Sequence, residues 1–222
     1  MQTTSTKIII DYYSDVLCVW AWIAQPRLEE LSRQWGTQVF VRHHFVDIFG
    51  DCYKKIPASW GEQDGFERFA EHVQHSAEPF DDADVHPELW RTHRPSSSAQ
   101  AHLLLRAVGL VAGEETIATT ALRIRRAFFC DAMDVSDMEV LLGLAEQEGV
   151  NRDAVSRTLR DGSAIAALST DLRAANELGV RGSPTWILNN GRQVLYGNIG
   201  YRVLSANIEE LLKRPDQEAS WC

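Results

Sequence analysis

The sequence predicts an α/β protein in which a large all-helical insertion interrupts a part built of strands and helices. Residues 7–45 alternate as strand, helix and strand, and residues 163–214 as helix, strand, strand and helix. Residues 53–162 between them carry helical periodicity and no strand pattern. Because 45% of the 222 residues are hydrophobic, the chain can bury a sizeable core without disulfide or metal support. We predict a discontinuous domain of residues 1–52 and 163–222 and an insertion domain of residues 53–162.

The N-terminal part predicts a parallel pair of strands joined by a helix. Residues 7–12 are an Ile-rich run, typical of a strand that is buried on both faces. Residues 18–35 predict a helix, with Pro26 early in it and Gly36 at its end. Residues 37–45 alternate apolar and polar side chains and predict a half-buried strand. A connection of this length allows a right-handed crossover, so the two strands are expected to be parallel.

The insertion is predicted to consist of helices and one acidic loop. The loop covers residues 79–95, and the predicted helices cover residues 66–75, 97–109, 114–130, 136–149 and 151–162. The first of these helices is expected to be polar. Ser136 and Glu139 form a capping-box pattern, and Asn151 is predicted to cap the last helix. Cys52 falls in a stretch without a regular pattern.

The C-terminal part predicts a helix, a hairpin and a second helix. The first helix covers residues 163–178, and the strands cover residues 185–188 and 193–196. Between the strands, residues 189–191 read NNG, a turn sequence that tolerates positive φ. The final helix covers residues 201–214 and is expected to stop at Pro215.

Charge and composition exclude several classes of function. The net charge is −9, and no basic stripe is available for phosphates, so we expect no nucleic-acid binding. The N-terminal segment shows no signal-type pattern, and its apolar run is too short to span a membrane. We therefore expect a cytoplasmic protein without a membrane partner. In a reducing compartment the four cysteines should be mostly free thiols.

Two segments carry the most informative pattern of the chain. Residues 14–22 follow the first strand and read SDVLCVWAW, and residues 179–185 precede a later strand and read GVRGSPT. A cysteine in the first turn of a helix faces free N–H groups and the positive end of the helix dipole, which favour a thiolate. We therefore predict that Cys18 is a reactive nucleophile with a lowered pKa.

These segments and the order of the elements resemble the DsbA-like thioredoxin family. The resemblance is to its cytoplasmic branch, which is related to 2-hydroxychromene-2-carboxylate isomerases and kappa-class glutathione transferases. It extends to the Ser-rich start of an insertion helix at residues 95–102 and to the closing hairpin and helix at residues 191–212. It implies a thioredoxin fold with a large helical insertion and a cis peptide bond before Pro184, which holds the loop beside Cys18. The backbone of Ser183 is then expected to pair with an extended peptide or with glutathione.

The departures from the family pattern decide the chemistry. Ala21 stands where redox members carry a second cysteine, and Val19 stands where they often carry proline. Cys18 is kept where the isomerases and kappa-class transferases have serine. Cys18 could form a mixed disulfide, but Ala21 could not resolve it. Resolution would have to come from glutathione, from a substrate thiol or from another cysteine such as Cys52.

Three hypotheses of function stay open at this point. The first is a monothiol oxidoreductase that acts on a thiol or disulfide substrate, with glutathione as co-substrate. The second is a glutathione-dependent isomerase or transferase that acts on a small molecule. The third is a non-redox binding module of thioredoxin fold. None requires a tightly bound cofactor, and the resemblance is compatible with a homodimer.

Five further residues are candidates for substrate or glutathione binding. Trp20 and Trp22 flank Cys18, and we expect at least one to pack in the core and one to line an apolar groove. Lys54 follows the second strand, where relatives hold glutathione carboxylates, although a solvated lysine pair with Lys55 is the simpler interpretation. Ser183 and Asn198 complete the candidate set, and Asn198 could equally be a turn residue.

The remaining histidines and cysteines favour structural interpretations. His72 and His75 are spaced as metal ligands on a predicted helix, but we expect a solvated face and no metal site. His43 lies on the apolar side of a strand and is predicted to be a core histidine rather than a base. Cys130 is predicted to be a small buried side chain, and Cys222 a frayed terminal residue.

Overall fold

The computed structural model describes residues 7–214, in which four strands form one sheet. The strands are β1 (Ile8–Ser14), β2 (Val39–Phe45), β3 (Thr185–Leu188) and β4 (Gln193–Tyr196). The order across the sheet is β2-β1-β3-β4, with β1 parallel to β2 and β3 antiparallel to both of its neighbours. The predicted α/β class and the parallel pairing of the first two strands are confirmed.

Helices accompany the strands in the N-terminal and C-terminal parts and fill the middle of the described chain. In the described part they are α1 (Val19–Ile23), α2 (Gln25–Trp35), α3 (Cys52–Trp60), α4 (Gly65–Ala77), α5 (Ala99–Ala112), α6 (Glu114–Phe129), α7 (Met138–Gln147), α8 (Arg152–Arg160), α9 (Ser163–Glu177) and α10 (Tyr201–Lys213). The α3–α8 segment contributes no strand to the sheet, as predicted for the insertion. Within residues 7–214, no helix combines the length and apolar character needed to cross a membrane.

Two helices differ from the prediction because of proline. The predicted helix over residues 18–35 is divided at Ala24 into α1 and α2. Pro26, in the first turn of α2, has no N–H to continue the α1 hydrogen bonds, and its ring disfavours the carbonyl arrangement of the preceding turn. The helix α3 was not predicted, because Pro57 lies inside it and masks its periodicity. Cys52 is thus the first residue of a helix and not part of an irregular stretch.

The caps and turns were predicted with mixed success. The Ser136 capping box is wrong, because Asp137 caps α7 and accepts a hydrogen bond from the Glu139 N–H at 2.8 Å. The Asn151 cap is confirmed, since its side chain accepts from the Ala154 N–H at 2.8 Å. The NNG turn is also confirmed, with positive φ at residues 189–191. Pro215 and Cys222 lie outside the described residues.

The helix α4 is amphipathic and not polar. Phe66, Phe69 and Val73 turn its apolar face into the core, where each is at most 9% exposed. The sequence prediction failed here because the intervening polar residues dominate the composition of the segment. The buried face of α4 packs against the region around α1 and helps to join the insertion to it.

Three hydrophobic clusters surround the sheet in the described part of the chain. In one, side chains of β1 and β3 pack against α2 and α10. A small cluster on the opposite face joins Tyr13 and Ile187 to α9. In the largest, the buried side chains of residues 16–23 pack with Phe45, Phe49 and the insertion helices. The turn between β1 and α1 therefore lies where the strand-containing part meets the insertion. The proposed division into two domains stays a prediction.

Candidate active site

The turn after β1 places Cys18 at the start of α1. The Cys18 N–H donates to the Asp15 carbonyl at 3.2 Å, and the Cys18 carbonyl accepts from the N–H groups of Ala21 and Trp22. The Asp15 carboxylate accepts from the Leu17 N–H at 2.9 Å and tightens the turn further. Cys18 is the N-cap residue of α1 and is 6% exposed. The sequence pattern thus predicted the position of the thiol correctly.

The loop before β3 lies directly against this thiol. The peptide bond between Ser183 and Pro184 is cis, as expected from the resemblance. The Cys18 thiol donates to the Ser183 carbonyl, with Sγ and O 3.1 Å apart. The Asp15 N–H donates to the Ser183 hydroxyl at 2.9 Å, so both the side chain and the carbonyl of Ser183 hold the loop to the turn. The structure therefore brings Cys18, Ser183 and Pro184 together.

The protonation of Cys18 differs from the expectation. Burial raises the pKa of the thiol, although hydrogen bonds from the Ser183 hydroxyl and from the N–H groups of Ala21 and Trp20 favour the thiolate. The charge of Asp15 acts in the same direction as burial. The expected lowering of the pKa is wrong because α1 has only five residues and its free N–H groups do not compensate for the loss of water. The resting form is a neutral thiol.

A buried carboxylate organises the surroundings of the thiol. Asp15 is fully buried and accepts hydrogen bonds from the N–H groups of Ile48 and Phe49 and from the Ser98 hydroxyl, at 2.8–3.1 Å. The His102 ring accepts from the Val16 N–H at 3.2 Å. These bonds connect the Cys18 turn to the segment after β2 and to α5. Asp15 therefore positions the turn.

Sequence reasoning missed these supporting residues, and it also missed Arg125. Arg125 is 1% exposed and donates to the Ser14 hydroxyl at the end of β1, at 2.8 Å. The residues Asp15, Ser98 and His102 stand in segments that carry the family resemblance, which was the available signal. Their bonding could not be predicted, because the partners are 33–111 residues apart in the chain.

The two tryptophans beside Cys18 have different environments. Trp22 is 4% exposed, stacks on Phe129 at a ring distance of 5.6 Å and donates from Nε1 to the Asp84 carbonyl at 3.0 Å. Trp22 is thus largely a core residue. Trp20 is half-buried, and its backbone N–H approaches the Cys18 sulfur. The expectation that one tryptophan packs in the core is therefore confirmed for Trp22.

Asn198 lies next to the loop that contains Pro184, whereas Lys54 is not bonded to the Cys18 turn among the residues that the structure describes. Lys54 is exposed in the first turn of α3, and in residues 7–214 no hydrogen bond or ion pair joins it to the Cys18 turn. Asn198 follows Gly197, whose N–H donates to the Pro184 carbonyl at 2.8 Å. The Oδ1 atom of Asn198 is buried and has no hydrogen-bond partner in the described part of the chain. Asn198 is therefore close to the loop and carries an unpaired, buried acceptor.

The other described cysteines are poorly placed to act as thiolates. Cys52 is fully buried, donates to the Phe49 carbonyl at 3.4 Å, and burial raises its pKa to about 12. Cys130 is half-buried rather than buried as predicted, lies 3.7 Å from the Asp84 carbonyl, and burial raises its pKa as well. Cys18, Cys52 and Cys130 are free thiols.

The histidines are mainly structural. His43 is 4% exposed, and burial lowers its pKa to about 3, so it is a neutral core residue as predicted. His72 is half-buried, and its ring packs 4.8 Å from the Trp60 ring, so it is less solvated than predicted. His75 is exposed, in line with the prediction. No group of three or more metal-ligating side chains occurs within residues 7–214.

The chain matches the profile of the DSBA-like thioredoxin domain over residues 9–209. No curated protein matches its sequence.

Several solved structures share the fold at low sequence identity. A candidate protein disulfide isomerase from Nitrosomonas europaea has a TM-score of 0.77 and 16% identity, covering 94% of this chain and 98% of its own. The cytosolic disulfide reductase DsbM from Pseudomonas aeruginosa, also solved with glutathione, has a TM-score of 0.66 and 22% identity, with coverages of 94% and 93%. A 2-hydroxychromene-2-carboxylate isomerase has a TM-score of 0.66 and 19% identity, with coverages of 93% and 97%. These likenesses show the thioredoxin fold with its helical insertion.

Proposed function

Because the chain belongs to the family of DSBA-like thioredoxin domains, we propose that it is a thiol oxidoreductase that works through Cys18 alone, with glutathione as the second thiol. The observation that carries this proposal is the Cys18 sulfur, 3.1 Å from the carbonyl of Ser183 and beside the cis bond to Pro184. Ala21 holds the position of the missing second sulfur. One thiol in this setting can exchange with a disulfide but cannot complete an internal disulfide.

The proposed reaction removes glutathione from a mixed disulfide. The Cys18 thiol loses its proton and attacks the glutathione sulfur of a disulfide R–S–SG. The bond between the Cys18 sulfur and the glutathione sulfur forms, the S–S bond of the mixed disulfide breaks, and the leaving thiolate RS⁻ takes a proton to become RSH. The thiolate of a second glutathione then attacks the glutathione sulfur of Cys18–SG, which releases glutathione disulfide and restores Cys18. RSSG is reduced and glutathione is oxidised, so the electrons balance.

The resolving thiol is proposed to come from outside the described chain. Cys52 is fully buried with a pKa raised to about 12, and the half-buried Cys130 has a raised pKa. A resolving thiol must also reach the sulfur of the Cys18 mixed disulfide, whereas the thiols of Cys52 and Cys130 lie against the carbonyls of Phe49 and Asp84. Glutathione can enter from solvent, and the glutathione complex of the DsbM relative supports this choice.

We also assign binding roles to the residues around Cys18, on the basis of their hydrogen bonds and positions. In the described part of the chain the Ser183 N–H has no acceptor, so it can pair with the backbone of the glutathione cysteine. The unpaired acceptor of Asn198 lies near the same loop. We assign Trp20 to the substrate side of the thiol, Trp22 to a supporting role in the core, and Lys54 to a glutathione carboxylate as the more distant candidate. The DsbM relative is described as cytosolic, which supports a cytoplasmic location.

One observation favours the second candidate function, a glutathione-dependent isomerase or transferase. The thiolate of bound glutathione would be repelled by a Cys18 thiolate, but a neutral Cys18 thiol can donate a hydrogen bond to it as a serine would. Burial raises the pKa of Cys18 and keeps that thiol neutral. The isomerase relative shares this fold.

The deciding experiment is peptide mapping by mass spectrometry after exposure to oxidised and then reduced glutathione. We expect a reversible glutathione adduct on Cys18. Glutathione-dependent reduction of a mixed disulfide should fall by about 10³-fold or more in both Cys18→Ser and Cys18→Ala. The half-buried Cys130→Ser serves as the matched control and should keep full activity.

The same variants separate the alternatives. If Cys18→Ser keeps a glutathione-dependent isomerase or transferase activity on a small molecule and Cys18→Ala loses it, the chain is an enzyme of that second class. If Cys18 forms no adduct and the protein does not bind glutathione, the chain is a non-redox binding module. An adduct on Cys52 with an unmodified Cys18 would also contradict the proposed monothiol.

A further inference from the structure

A row of three aromatic rings extends from the cysteine toward the insertion. Trp20 lies on α1, and its backbone N–H approaches the Cys18 sulfur. The Trp20 ring meets the ring of His72 on α4 edge-on, with centroids 6.4 Å apart. The His72 ring in turn packs against Trp60, at the end of α3, with centroids 4.8 Å apart. The three side chains are half-buried and come from three different helices.

The core of the insertion packs against this row of rings. Phe69 is 7% exposed and contacts both Trp60, at a ring distance of 5.6 Å, and His72, at 6.1 Å. Phe69 itself packs edge-on against the fully buried Trp90 at 5.2 Å. Because these rings support one another, the row presents a preformed apolar surface and loses little entropy when a ligand binds.

The three rings of the row are uncharged at neutral pH. Partial burial lowers the pKa of His72, which keeps the imidazole neutral. In residues 7–214 no group forms a hydrogen bond with the His72 ring. Uncharged aromatic surfaces favour planar apolar groups, which stack on their faces or contact their edges.

We infer that Trp20, His72 and Trp60 bind the leaving thiol of the mixed disulfide, and that they select a thiol carrying an aromatic ring. The inference rests on the proposed function. If the glutathione half of the disulfide pairs with Ser183, the other half of the disulfide must bind on another side of Cys18. We assign it to the side on which Trp20 lies. When Cys18 attacks the glutathione sulfur, the S–S bond breaks and the leaving thiolate takes a proton while its aromatic ring is bound to the three side chains.

The test compares two mixed disulfides of glutathione, one with benzyl mercaptan and one with mercaptoethanol. The wild-type protein should have the higher kcat/KM for the benzyl disulfide. Trp60→Leu and His72→Ala should each reduce that preference by about 2- to 12-fold, the size of one aromatic contact, mainly through KM. Both variants should keep kcat/KM for the mercaptoethanol disulfide within about twofold of the wild type. His75→Ala, one turn further along α4 and exposed, is the matched control and should change neither value.

The outcomes distinguish this inference from the proposed function. Equal kcat/KM for both disulfides in the wild type would overturn the aromatic subsite and leave the thiol exchange standing. An equal loss on both substrates in Trp60→Leu and His72→Ala would also overturn it, because the rings would then serve the fold only. Turnover of neither disulfide would overturn the proposed function and this inference together.

Discussion

At Cys18, burial and hydrogen bonding act in opposite directions, and burial is the stronger. A raised pKa leaves only a small fraction of thiolate at pH 7, and the thiolate is the attacking species. We therefore expect the alkylation rate of Cys18 to rise about tenfold per pH unit from pH 7 toward its pKa. Asp15→Asn removes a negative charge that raises this pKa, so its profile should shift to lower pH. Peptide-resolved iodoacetamide labelling across pH 6–10 measures both profiles.

The exposed Asp47→Asn is the control for this experiment and should leave the Cys18 profile in place. Asp15→Asn also exchanges a charged acceptor for an amide facing several donors, which should cost about 1–3 kcal/mol of unfolding free energy. A rate that is already at its plateau at pH 7 in the wild type would contradict the raised pKa.

At the scale of elements, one histidine joins two strands to a helix. His44 on β2 lies with its two ring nitrogens 2.9 Å from carboxylates of Asp11 on β1 and Asp171 on α9. Both nitrogens can donate only when the ring is protonated. The hydrogen bonds to these carboxylates outweigh the desolvation and raise the pKa of His44. The protonated ring is therefore the form that fits the site.

This arrangement predicts how stability depends on pH. Since the pKa of His44 is raised on folding, its contribution is complete below the unfolded pKa of about 6.5 and is lost as pH rises through the folded pKa. His44→Gln should cost about 1–2 kcal/mol at pH 6 and less at pH 9, measured by urea unfolding. The exposed His93→Gln is the control, with no such difference. A cost independent of pH would contradict the protonated bridge.

The elements with strong local patterns were predictable and those governed by long-range contacts were not. The strands β3 and β4 and their NNG turn were predicted with their bounds, because turn chemistry acts within a few residues. α3 was missed because Pro57 conceals its periodicity, and the apolar face of α4 was missed among polar neighbours. In the site, Cys18 and Pro184 were found from their local motifs. Asp15 and Arg125 depend on distant partners, and burial of Cys18 depends on the whole fold.

At the scale of the whole molecule, the two parts of the predicted domain division share one core. Trp22 of α1 stacks on Phe129 of α6 with an angle of 5° between the rings. Phe45 of β2 stacks on His102 of α5 with centroids 4.9 Å apart. The insertion thus packs directly against the strand-containing part, and the candidate active site lies at their junction. We expect the two parts to depend on each other for stability.

The shared core predicts a single unfolding transition for the whole chain. Phe129→Ala removes a fully buried ring at the junction and should cost about 3–5 kcal/mol of unfolding free energy. Urea curves followed by tryptophan fluorescence and by far-ultraviolet circular dichroism should coincide and shift together, because both parts lose the same contacts. Leu110→Ala, at a position that is 56% exposed on α5, is the control and should change the free energy by about 0.5 kcal/mol or less. Two separated transitions, of which only one moves in Phe129→Ala, would show that the insertion folds independently.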